Sequence, residues 1–332
     1  MTSAPKPVIA ITMGDINGIG PEILAKALAS RQIFAHCIPL VLGSHSALEA
    51  QRALAPALPS ATVVERSALN APLHEDRLYL CEAMQQTPQL RPGVPDPAAG
   101  ACAVAWIEEA VRLCQAGIAS AMTTCPISKD VIYQAGCKHT GHTEIVASMT
   151  GVEDYRMCLF ADDMRVVHLT GHLSLRDALD AITAERIVSS ARIGHNALCK
   201  LGLKRKHIAI AGLNPHAGEN GAFGTEEATI IAPAVAQCRE EGLDCSGPHS
   251  PDTIFKRMQE GEFDLVVALY HDQGHIPLKL IAMDLGVNVT LGVPIVRTSV
   301  DHGTAFDIAG TGRARENSLI AAIRLAAKLA QA

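Results

Sequence analysis

Residues 270–279 (YHDQGHIPLK) carry the densest set of chemically active side chains in this sequence. Their imidazoles, carboxylate and ammonium group can bind a metal ion, transfer protons or hold a charged substrate. The stretch follows an apolar run, 265–269 (LVVAL), that is typical of a buried strand. Because α/β sheets place their sites beyond the ends of strands, this pattern indicates a metal-assisted enzyme.

Other histidines stand at comparable places. His168 and His172 flank the end of a predicted strand at 165–170, and His216 lies in the segment LNPHAG. Neutral imidazole is the commonest protein ligand for divalent metals, although a single histidine is more often a bystander. Strands that lie side by side could bring three such ends together. We therefore predict His172, His216 and His271 as metal ligands and His168, inside the strand pattern, as the bystander.

Two segments could hold an anionic substrate. The first comprises PISK at 126–129 and GHTE at 141–144. The alternative to substrate binding at these motifs is a solvated loop in which Thr143 caps a helix. The second runs from 287 to 310, where Arg297 could clamp a phosphate or carboxylate and glycine turns could bring backbone amides against a ligand. Its alternative is a plain loop before the last helix.

A glycine-rich turn, 14–22 (GDINGIGPE), follows the first predicted strand. Its glycines permit close backbone approach. The spacing fits neither the GxGxxG nor the GxxxxGK[ST] nucleotide fingerprint. A simple strand-to-helix turn with Pro21 at the helix start is an equally good interpretation.

Strand and helix patterns alternate along the whole chain, which predicts an α/β fold with a doubly wound sheet. We predict strands at 7–12, 38–43, 119–124, 165–170, 207–213 and 264–270. We predict helices at 21–30, 44–54, 101–116, 184–201, 226–241 and 316–330, and a loop at 92–99.

Composition limits the class of protein. The 332 residues are 48% hydrophobic and only 3% aromatic, so the core must consist of Ala, Val, Ile and Leu, as suits a helix-covered parallel sheet. A net charge of −6 without a basic run argues against nucleic acid as a partner. No signal-peptide pattern and no apolar run of 18 residues is present, so we expect a cytoplasmic protein off the membrane. The ten cysteines form no CxxC pair and are expected to be buried thiols.

These segments, in this order, resemble the PdxA family of 4-hydroxythreonine-4-phosphate dehydrogenases. The resemblance runs from about Val8 to the C-terminus and is most specific at 213–224 and 270–310. The turn at 14–23 and the loop at 302–310 are also similar to isocitrate and isopropylmalate dehydrogenases. The resemblance implies two α/β/α domains of that type with an active-site cleft between them. It implies a discontinuous dinucleotide-side domain, 1–123 plus 300–332, and a metal, substrate and dimer domain, 124–299.

The resemblance also assigns roles to residues. It implies that His172, His216 and His271 bind the metal ion, which is zinc, magnesium or cobalt. Substrate binding falls on His142, Thr143, Lys279, Asn288 and Arg297. The adenine end of NAD or NADP falls on His302, Gly303, Ala305, Ile308 and Ala309. The base is left open between Asp272, a metal-bound water, and Lys279 if burial lowers its pKa. The family implies a homodimer that shares its active site across the interface.

The implied reaction is metal-dependent oxidation of a 4-phosphorylated hydroxy acid, such as 4-hydroxy-L-threonine 4-phosphate, followed by decarboxylation, in pyridoxine biosynthesis. This chain reads HDQGHIPLK where the biosynthetic pattern is closer to HDQGLPVLK, and it reads CPISK earlier. Both variants resemble a sister branch that oxidises 4-phospho-D-threonate or 4-phospho-D-erythronate. Two rival classes are a metal-dependent hydrolase, which would not use the 301–310 loop, and a metal- or phosphate-sensing module.

Overall fold

A computed structural model describes residues 5–83, 87–282 and 285–331. The strands are β1 (Val8–Thr12), β2 (Ile38–Leu42), β3 (Ala61–Val63), β4 (Leu78–Cys81), β5 (Ala121–Thr124), β6 (Arg156–Ala161), β7 (Met164–His168), β8 (Ile208–Ala211), β9 (Cys245–His249), β10 (Leu265–Ala268), β11 (Val287–Leu291) and β12 (Arg297–Val300). The helices are α1 (Gly20–Ala29), α2 (His45–Glu49), α3 (Pro97–Gln115), α4 (Lys129–Gln134), α5 (His142–Thr150), α6 (Leu175–Asp180), α7 (Ala184–Lys200), α8 (Ala232–Glu240), α9 (Ile254–Gln259), α10 (His271–Ala282) and α11 (Asn317–Ala330).

Contacts divide the chain into two compact units. Unit 1 comprises 1–153 and 293–331, and unit 2 comprises 154–292. The two ends of unit 2 lie side by side: a Cβ placed on Gly292 would come within 2.6 Å of the Asp154 carbonyl oxygen. Gly292 also has a φ of +95°, so both space and backbone conformation favour glycine there.

Unit 1 contains a parallel sheet in the order β3-β4-β2-β1-β5-β12. Its central strands are buried along their length because helices cover them, as the apolar, aromatic-poor sequence predicts. The longest helix, α3, begins where Asp96 accepts a hydrogen bond from the Ala98 amide and Pro97 occupies the first turn. It carries the single tryptophan, Trp106, into the core.

Unit 2 contains a mixed sheet in the order β11-β6-β7-β10-β8-β9. The pairs β11–β6 and β6–β7 are antiparallel, whereas β7, β10, β8 and β9 run parallel. The segments that follow β7, β10 and β8 therefore leave the sheet at the same edge. The candidate histidines His172, His271 and His216 all stand in these three segments.

The predicted α/β fold is confirmed, and most predicted elements lie within two residues of the observed ones. Three predictions need correction. Residues 226–241 are not one regular helix, because a π-helical turn, Glu227–Ile231, precedes α8. The predicted loop at 92–99 ends earlier, at the start of α3. The helix predicted at 44–54 ends at Glu49, and turns follow it. Residues 271–279, for which no element was predicted, form most of α10 despite Gly274 and Pro277.

The domain limits read from the sequence differ from the observed units. The sequence-based division assigns 124–153 and 293–299 to the second domain, whereas both segments belong to unit 1. The reason is packing: α4 and α5 lie against α3, where Gly100 leaves no room for a Cβ beside Val131, and β12 pairs with β5. A boundary placed after β5 could not take account of these contacts.

All ten cysteines are free thiols, and Cys199 is exposed while Cys114 and Cys137 are half-buried, so the expectation of uniform burial is wrong at these three. Of the helices that the structure describes, none has the length and apolarity that crossing a membrane requires.

Candidate active site

In unit 2, two of the predicted metal ligands are neighbours. His172 follows β7 and His271 begins α10 directly after β10, and their ring centroids lie 5.4 Å apart. Their proximity follows from the pairing of the two strands, in which Ala268 stands opposite His168. The sheet topology thus brings these two imidazoles together.

The third predicted ligand, His216, lies exposed on an unusual turn after β8. Five consecutive residues, 216–220, have positive φ, and only Gly218 among them is a glycine. Within 5–83, 87–282 and 285–331 no group of three histidine, cysteine or acidic side chains has the geometry to hold a metal ion. One chain therefore places two of the predicted ligands together and leaves His216 apart from them.

The turn at 216–220 is clamped by Glu227. One carboxylate oxygen accepts hydrogen bonds from the Leu213 and Asn214 amides at 2.8 and 2.7 Å, and the other accepts from Asn214 Nδ2 at 2.9 Å. Burial raises the pKa of Glu227, but these hydrogen bonds outweigh it and hold the pKa below its usual range. Glu227 is thus an ionised group that ties the two ends of the segment together.

His271 is held by its neighbour Asp272. Asp272 Oδ1 lies 2.7 Å from His271 Nδ1, and this hydrogen bond lowers the pKa of the Asp272 carboxyl. The carboxylate therefore accepts from the Nδ1–H group and leaves Nε2 of His271 as the nitrogen with a lone pair, the arrangement typical of metal-binding histidines. Lys279, two helical turns along α10, is exposed, so the burial that would suit it as a base is not observed.

Sequence reasoning missed the importance of His168 and His275. The ring of His275 stacks on that of His271 with centroids 3.8 Å apart and planes at 10°. His275 Nδ1 is also 2.9 Å from Nε2 of His168, which is 1% exposed. The available signal was the spacing of His271 and His275, four residues apart, which places both on one face if the segment is helical.

Asn288, a predicted substrate ligand, lies on β11 of unit 2. Its Oδ1 atom is buried and has no hydrogen-bond partner among the described residues. A buried amide oxygen without a donor costs free energy. Such an atom is suited to accept a hydrogen bond from a ligand.

In unit 1, Arg297 begins β12 and is 2% exposed. Its Nη2 donates to Thr124 Oγ1 at 2.8 Å, and its Nη1 lies 3.4 Å from Thr143 Oγ1. Burial lowers the pKa of Arg297 to about 10, and the nearby Glu144 opposes this shift. The side chain therefore stays charged at neutral pH, and the predicted pair of Arg297 and Thr143 is adjacent.

His142 stands beside Thr143 at the start of α5. Its Nε2 atom is buried without a hydrogen-bond partner among the residues described. Desolvation, and then the positive charges of Arg297 and Lys129, hold the pKa of His142 well below its usual value. The neutral ring donates to the Cys125 backbone, which leaves the unpartnered Nε2 as an acceptor for a hydrogen-bond donor of a bound ligand.

The glycine-rich turn at 14–20 connects β1 to α1. A Cβ on Gly14, whose φ is +74°, would lie 2.4 Å from the Pro126 carbonyl oxygen, so the turn needs glycine there. Asp15 is 1% exposed and its Oδ2 atom has no partner in the described chain, and burial raises its pKa. The turn is also the strand-to-helix connection with Pro21 in the first turn of α1.

The predicted dinucleotide loop packs against this turn. The Ile19 amide donates to the Thr304 carbonyl at 2.9 Å, and Gly18 has room only for hydrogen beside Thr304. Ala305 has a φ of 40° and opens a short 3₁₀ turn, Phe306–Ile308. His302 and Gly303 are exposed and Ala309 is buried, so the five predicted residues form one partly open loop surface.

Comparisons with known proteins agree with this architecture. Residues 35–326 match the family model described as pyridoxal phosphate biosynthetic protein PdxA. A 4-hydroxythreonine-4-phosphate dehydrogenase of Geobacter metallireducens is 46% identical, over 98% of this chain and 96% of that protein. A D-threonate 4-phosphate dehydrogenase of Pectobacterium atrosepticum is 41% identical, over 97% and 99%.

A crystal structure of 4-hydroxythreonine-4-phosphate dehydrogenase from Klebsiella pneumoniae superposes with a TM-score of 0.88. It is 42% identical and covers 100% of both chains. A family match over most of the chain, full-length relatives above 40% identity and a shared fold lead to one conclusion: the chain belongs to the PdxA family.

Proposed function

We propose that this PdxA-family dehydrogenase oxidises the secondary alcohol of a four-carbon hydroxy acid 4-phosphate, 4-hydroxy-L-threonine 4-phosphate, with NAD or NADP as hydride acceptor. The observation that carries the proposal is the position of Arg297, a buried and charged guanidinium that lies 3.4 Å from the hydroxyl of Thr143, another predicted substrate contact. A guanidinium is the side chain best suited to bind a phosphate or carboxylate anion. A phosphorylated acid supplies such an anion, and the relatives are named for substrates of this class.

A second candidate substrate is D-threonate 4-phosphate, with 4-phospho-D-erythronate as a close analogue. It is favoured by His275, which gives this chain the HDQGHIPLK pattern of the sister branch. Relatives carrying this name are 40–43% identical. Both candidates share a carboxylate, a C3 alcohol and a 4-phosphate, so the chemistry is the same for each.

We infer a divalent metal site at His172 and His271. Two imidazoles bound to one tetrahedral ion at ordinary zinc–nitrogen distances have ring centres about 5 Å apart, close to the observed 5.4 Å. His216 would supply the third nitrogen from a second copy of the chain, since one chain keeps it apart. Zinc, cobalt and magnesium are the candidate ions, and three nitrogen ligands favour zinc or cobalt.

The chain's own residues would bind and orient the substrate. Arg297 and Thr143 would hold one anionic group, and His142 Nε2 and Asn288 Oδ1 would accept hydrogen bonds from donor groups of the substrate. Lys279 would contact the second anionic group. Since Asp272 is engaged with His271, we assign it an orienting role.

The reaction removes a hydride from C3 and a proton from its hydroxyl. When bound, the nicotinamide takes the hydride and the divalent ion stabilises the negative charge on oxygen. The 3-keto acid would then lose its carboxylate as carbon dioxide, and C2, which keeps the electron pair as an enolate, would take up a proton. The partly open loop at 302–309, with small residues at Gly303, Ala305 and Ala309, would accommodate the adenine end of the dinucleotide.

The surface of unit 2 supports the proposal of a homodimer. Leu280 is 81% exposed on α10, next to a groove of about 510 Å³ that Phe255, Pro277 and Ile281 help to line. Large exposed apolar patches mark interaction sites. Among the described residues of this unit, the large apolar side chains that are exposed are Leu173, Leu175, Leu179, Phe223, Ile276, Leu280, Ile281 and Leu285. We propose that a second copy covers this surface; a cytoplasmic location stays a prediction from the sequence.

The proposal is tested with a panel of 4-phosphorylated four-carbon acids, followed by NADH or NADPH absorbance. We expect turnover of 4-hydroxy-L-threonine 4-phosphate or D-threonate 4-phosphate, and none of the unphosphorylated acids at equal concentration. A metal-dependent hydrolase would show no saturable binding of NAD in a calorimetric titration, and that result would reject the dehydrogenase assignment.

The role of Arg297 has its own test. Arg297→Lys keeps the charge but loses the two-pronged geometry. We expect kcat/KM for the phosphorylated acid to fall at least 100-fold, and Arg324→Lys, an exposed control, to have no effect. Equal losses with phosphorylated and unphosphorylated substrates would show that Arg297 does not read the phosphate.

A further inference from the structure

Four histidines of unit 2 form a chain of ring contacts that the substrate and metal assignments leave unexplained. His172 neighbours His271 at 5.4 Å, His271 stacks on His275 at 3.8 Å, and His275 meets His168 at 4.5 Å between centroids. His168 and His275 are buried, whereas His172 and His271 are accessible to solvent. This row of four histidine rings therefore extends from the protein interior to the candidate metal ligands.

The donor and the acceptor of each hydrogen bond made by His168 can be assigned. His168 Nδ1 is 3.3 Å from the Met157 carbonyl oxygen, which can only accept, so Nδ1 carries the hydrogen. An imidazole that carries its hydrogen on Nδ1 has its lone pair on Nε2, so Nε2 of His168 accepts and His275 Nδ1–H donates to it at 2.9 Å. The ring of His275 is thereby anchored to the backbone through His168.

Gly274 makes this anchor possible. A Cβ on Gly274 would lie 2.6 Å from His168 Nε2 and 2.7 Å from Val166 Cγ1. Its backbone conformation does not demand glycine, so the close approach of His168 is the reason for the missing side chain. In the sequence HDQGH, His271 is the ring that is covered, Gly274 leaves space for His168, and His275 is the ring that stacks on His271.

We propose that His275, anchored by His168, is a positioning residue that fixes the ring plane of His271 for metal binding. Asp272 holds His271 at its Nδ1 edge, and His275 covers one face of the ring. An edge contact alone leaves the ring free to rotate about the hydrogen bond, and the stacked ring removes that freedom. The inference rests on the proposed metal site at His172 and His271.

Parallel stacking also separates His275 from the ligands themselves. A metal ion lies in the plane of each imidazole that binds it, and two planes at 10° and 3.8 Å apart do not share such a position. His275 therefore supports a ligand in this conformation and does not replace one. Partners of this kind typically change metal affinity 10- to 100-fold when removed.

The test measures Co²⁺ binding to the metal-stripped full-length protein, using visible absorption bands for geometry and chelator competition for affinity. Three variants separate the contributions. His275→Leu removes ring and donor, His275→Asn keeps a donor for His168 without a ring, and His275→Phe keeps a ring without a donor. His74→Leu, at an exposed histidine of unit 1, is the matched control.

We expect the Kd for Co²⁺ to rise at least 10-fold in His275→Leu and at least 3-fold in each of the other two variants, with altered absorption bands. The control should match the unchanged protein. Urea midpoints verify folding, and if His275→Leu fails to fold, the other two variants decide the matter. Binding within 2-fold of the unchanged protein, with identical bands, in every folded variant would overturn the proposal.

His271→Ala distinguishes the two levels of inference. Loss of Co²⁺ binding in His271→Ala, together with unaffected binding in the His275 variants, would overturn the positioning role and leave the metal site standing. Unchanged binding in His271→Ala would overturn the metal site and the positioning role together. Loss in His271→Ala with graded weakening in the His275 variants supports both.

Discussion

Replacing Glu227 should release the turn that carries His216. In Glu227→Ala the Leu213 and Asn214 amides and the Asn214 side chain all lose an ionised acceptor. Leaving a partly buried donor without a partner costs about 1–3 kcal/mol. Because water can reach some of these groups, we expect a net loss of about 2–4 kcal/mol.

The strain in this turn makes it sensitive to that loss. His216, Ala217, Glu219 and Asn220 all have positive φ. The left-handed conformation costs a non-glycine residue roughly 1–2 kcal/mol. The summed strain energy of the four residues thus exceeds the stabilisation expected from the Glu227 hydrogen bonds. The segment therefore depends on its other contacts as well, and loss of the Glu227 hydrogen bonds should loosen it.

The assay combines urea unfolding with amide hydrogen exchange. Glu227→Ala should lower the unfolding free energy as stated and remove exchange protection selectively at 213–224. Glu226→Ala is the matched control, because Glu226 shares only the Asn214 side chain, which keeps Glu227 as its acceptor. Protection unchanged at 213–224, with stability within about 0.5 kcal/mol of the unchanged protein, would refute the reasoning.

Acidity should act in the same direction. The folded-state pKa of Glu227 lies below its ordinary value, so its stabilising contribution is complete above pH 4.5 and disappears as pH falls through the folded pKa. The protection of amides 213–224, measured relative to the intrinsic exchange rate at each pH, should therefore fall in acid more in the unchanged protein than in Glu227→Ala. A parallel acid response in both proteins would contradict this assignment.

Three further results are expected. Gly274→Ala places a methyl group 2.6 Å from His168 Nε2 and should cost about 1–3 kcal/mol in urea unfolding, whereas Gly171→Ala, where no atom lies within 4 Å, should change stability by less than about 0.5 kcal/mol. His142 stays neutral when folded but binds a proton below pH 6.5 when unfolded, so stability should fall by up to about 1.4 kcal/mol per pH unit below 6.5, and His142→Gln should remove this part of the slope. Asp272→Asn should weaken Co²⁺ binding about 10-fold without changing the urea midpoint, and tight binding by this variant would exclude an orienting role.

The sequence predicted the structural features that follow from the spacing of apolar residues. Apolar runs located the central strands, and their parallel order explains why His172 and His271, far apart in the chain, meet at one sheet edge. Arg297 and Thr143 come from the two segments predicted to hold substrate and lie 3.4 Å apart, and their role in substrate binding stays a prediction. The reaction type was predicted from the resemblance to a family, because the residue patterns alone did not distinguish a dehydrogenase from a hydrolase.

What the sequence did not predict depends on tertiary contacts. Gly274 and Pro277 disfavour a helix by propensity, yet the segment forms part of α10, and only that helix aligns His275 with His271. His168 fits a buried strand position, so nothing local marks it as an anchor. The turn at 216–220 includes Ala217 and Glu219, residues that give no local signal for a left-handed backbone.

The insertion of unit 2 within unit 1 has a consequence for synthesis on the ribosome. Unit 1 cannot complete its sheet until β12 emerges, and β12 follows unit 2 in the chain. Unit 2 is complete at residue 292, where Gly292 closes against Asp154. Domains generally fold as units while the chain grows. The inserted unit should therefore reach its native state first, while the first 153 residues wait with an open strand edge at β5 for their final partner.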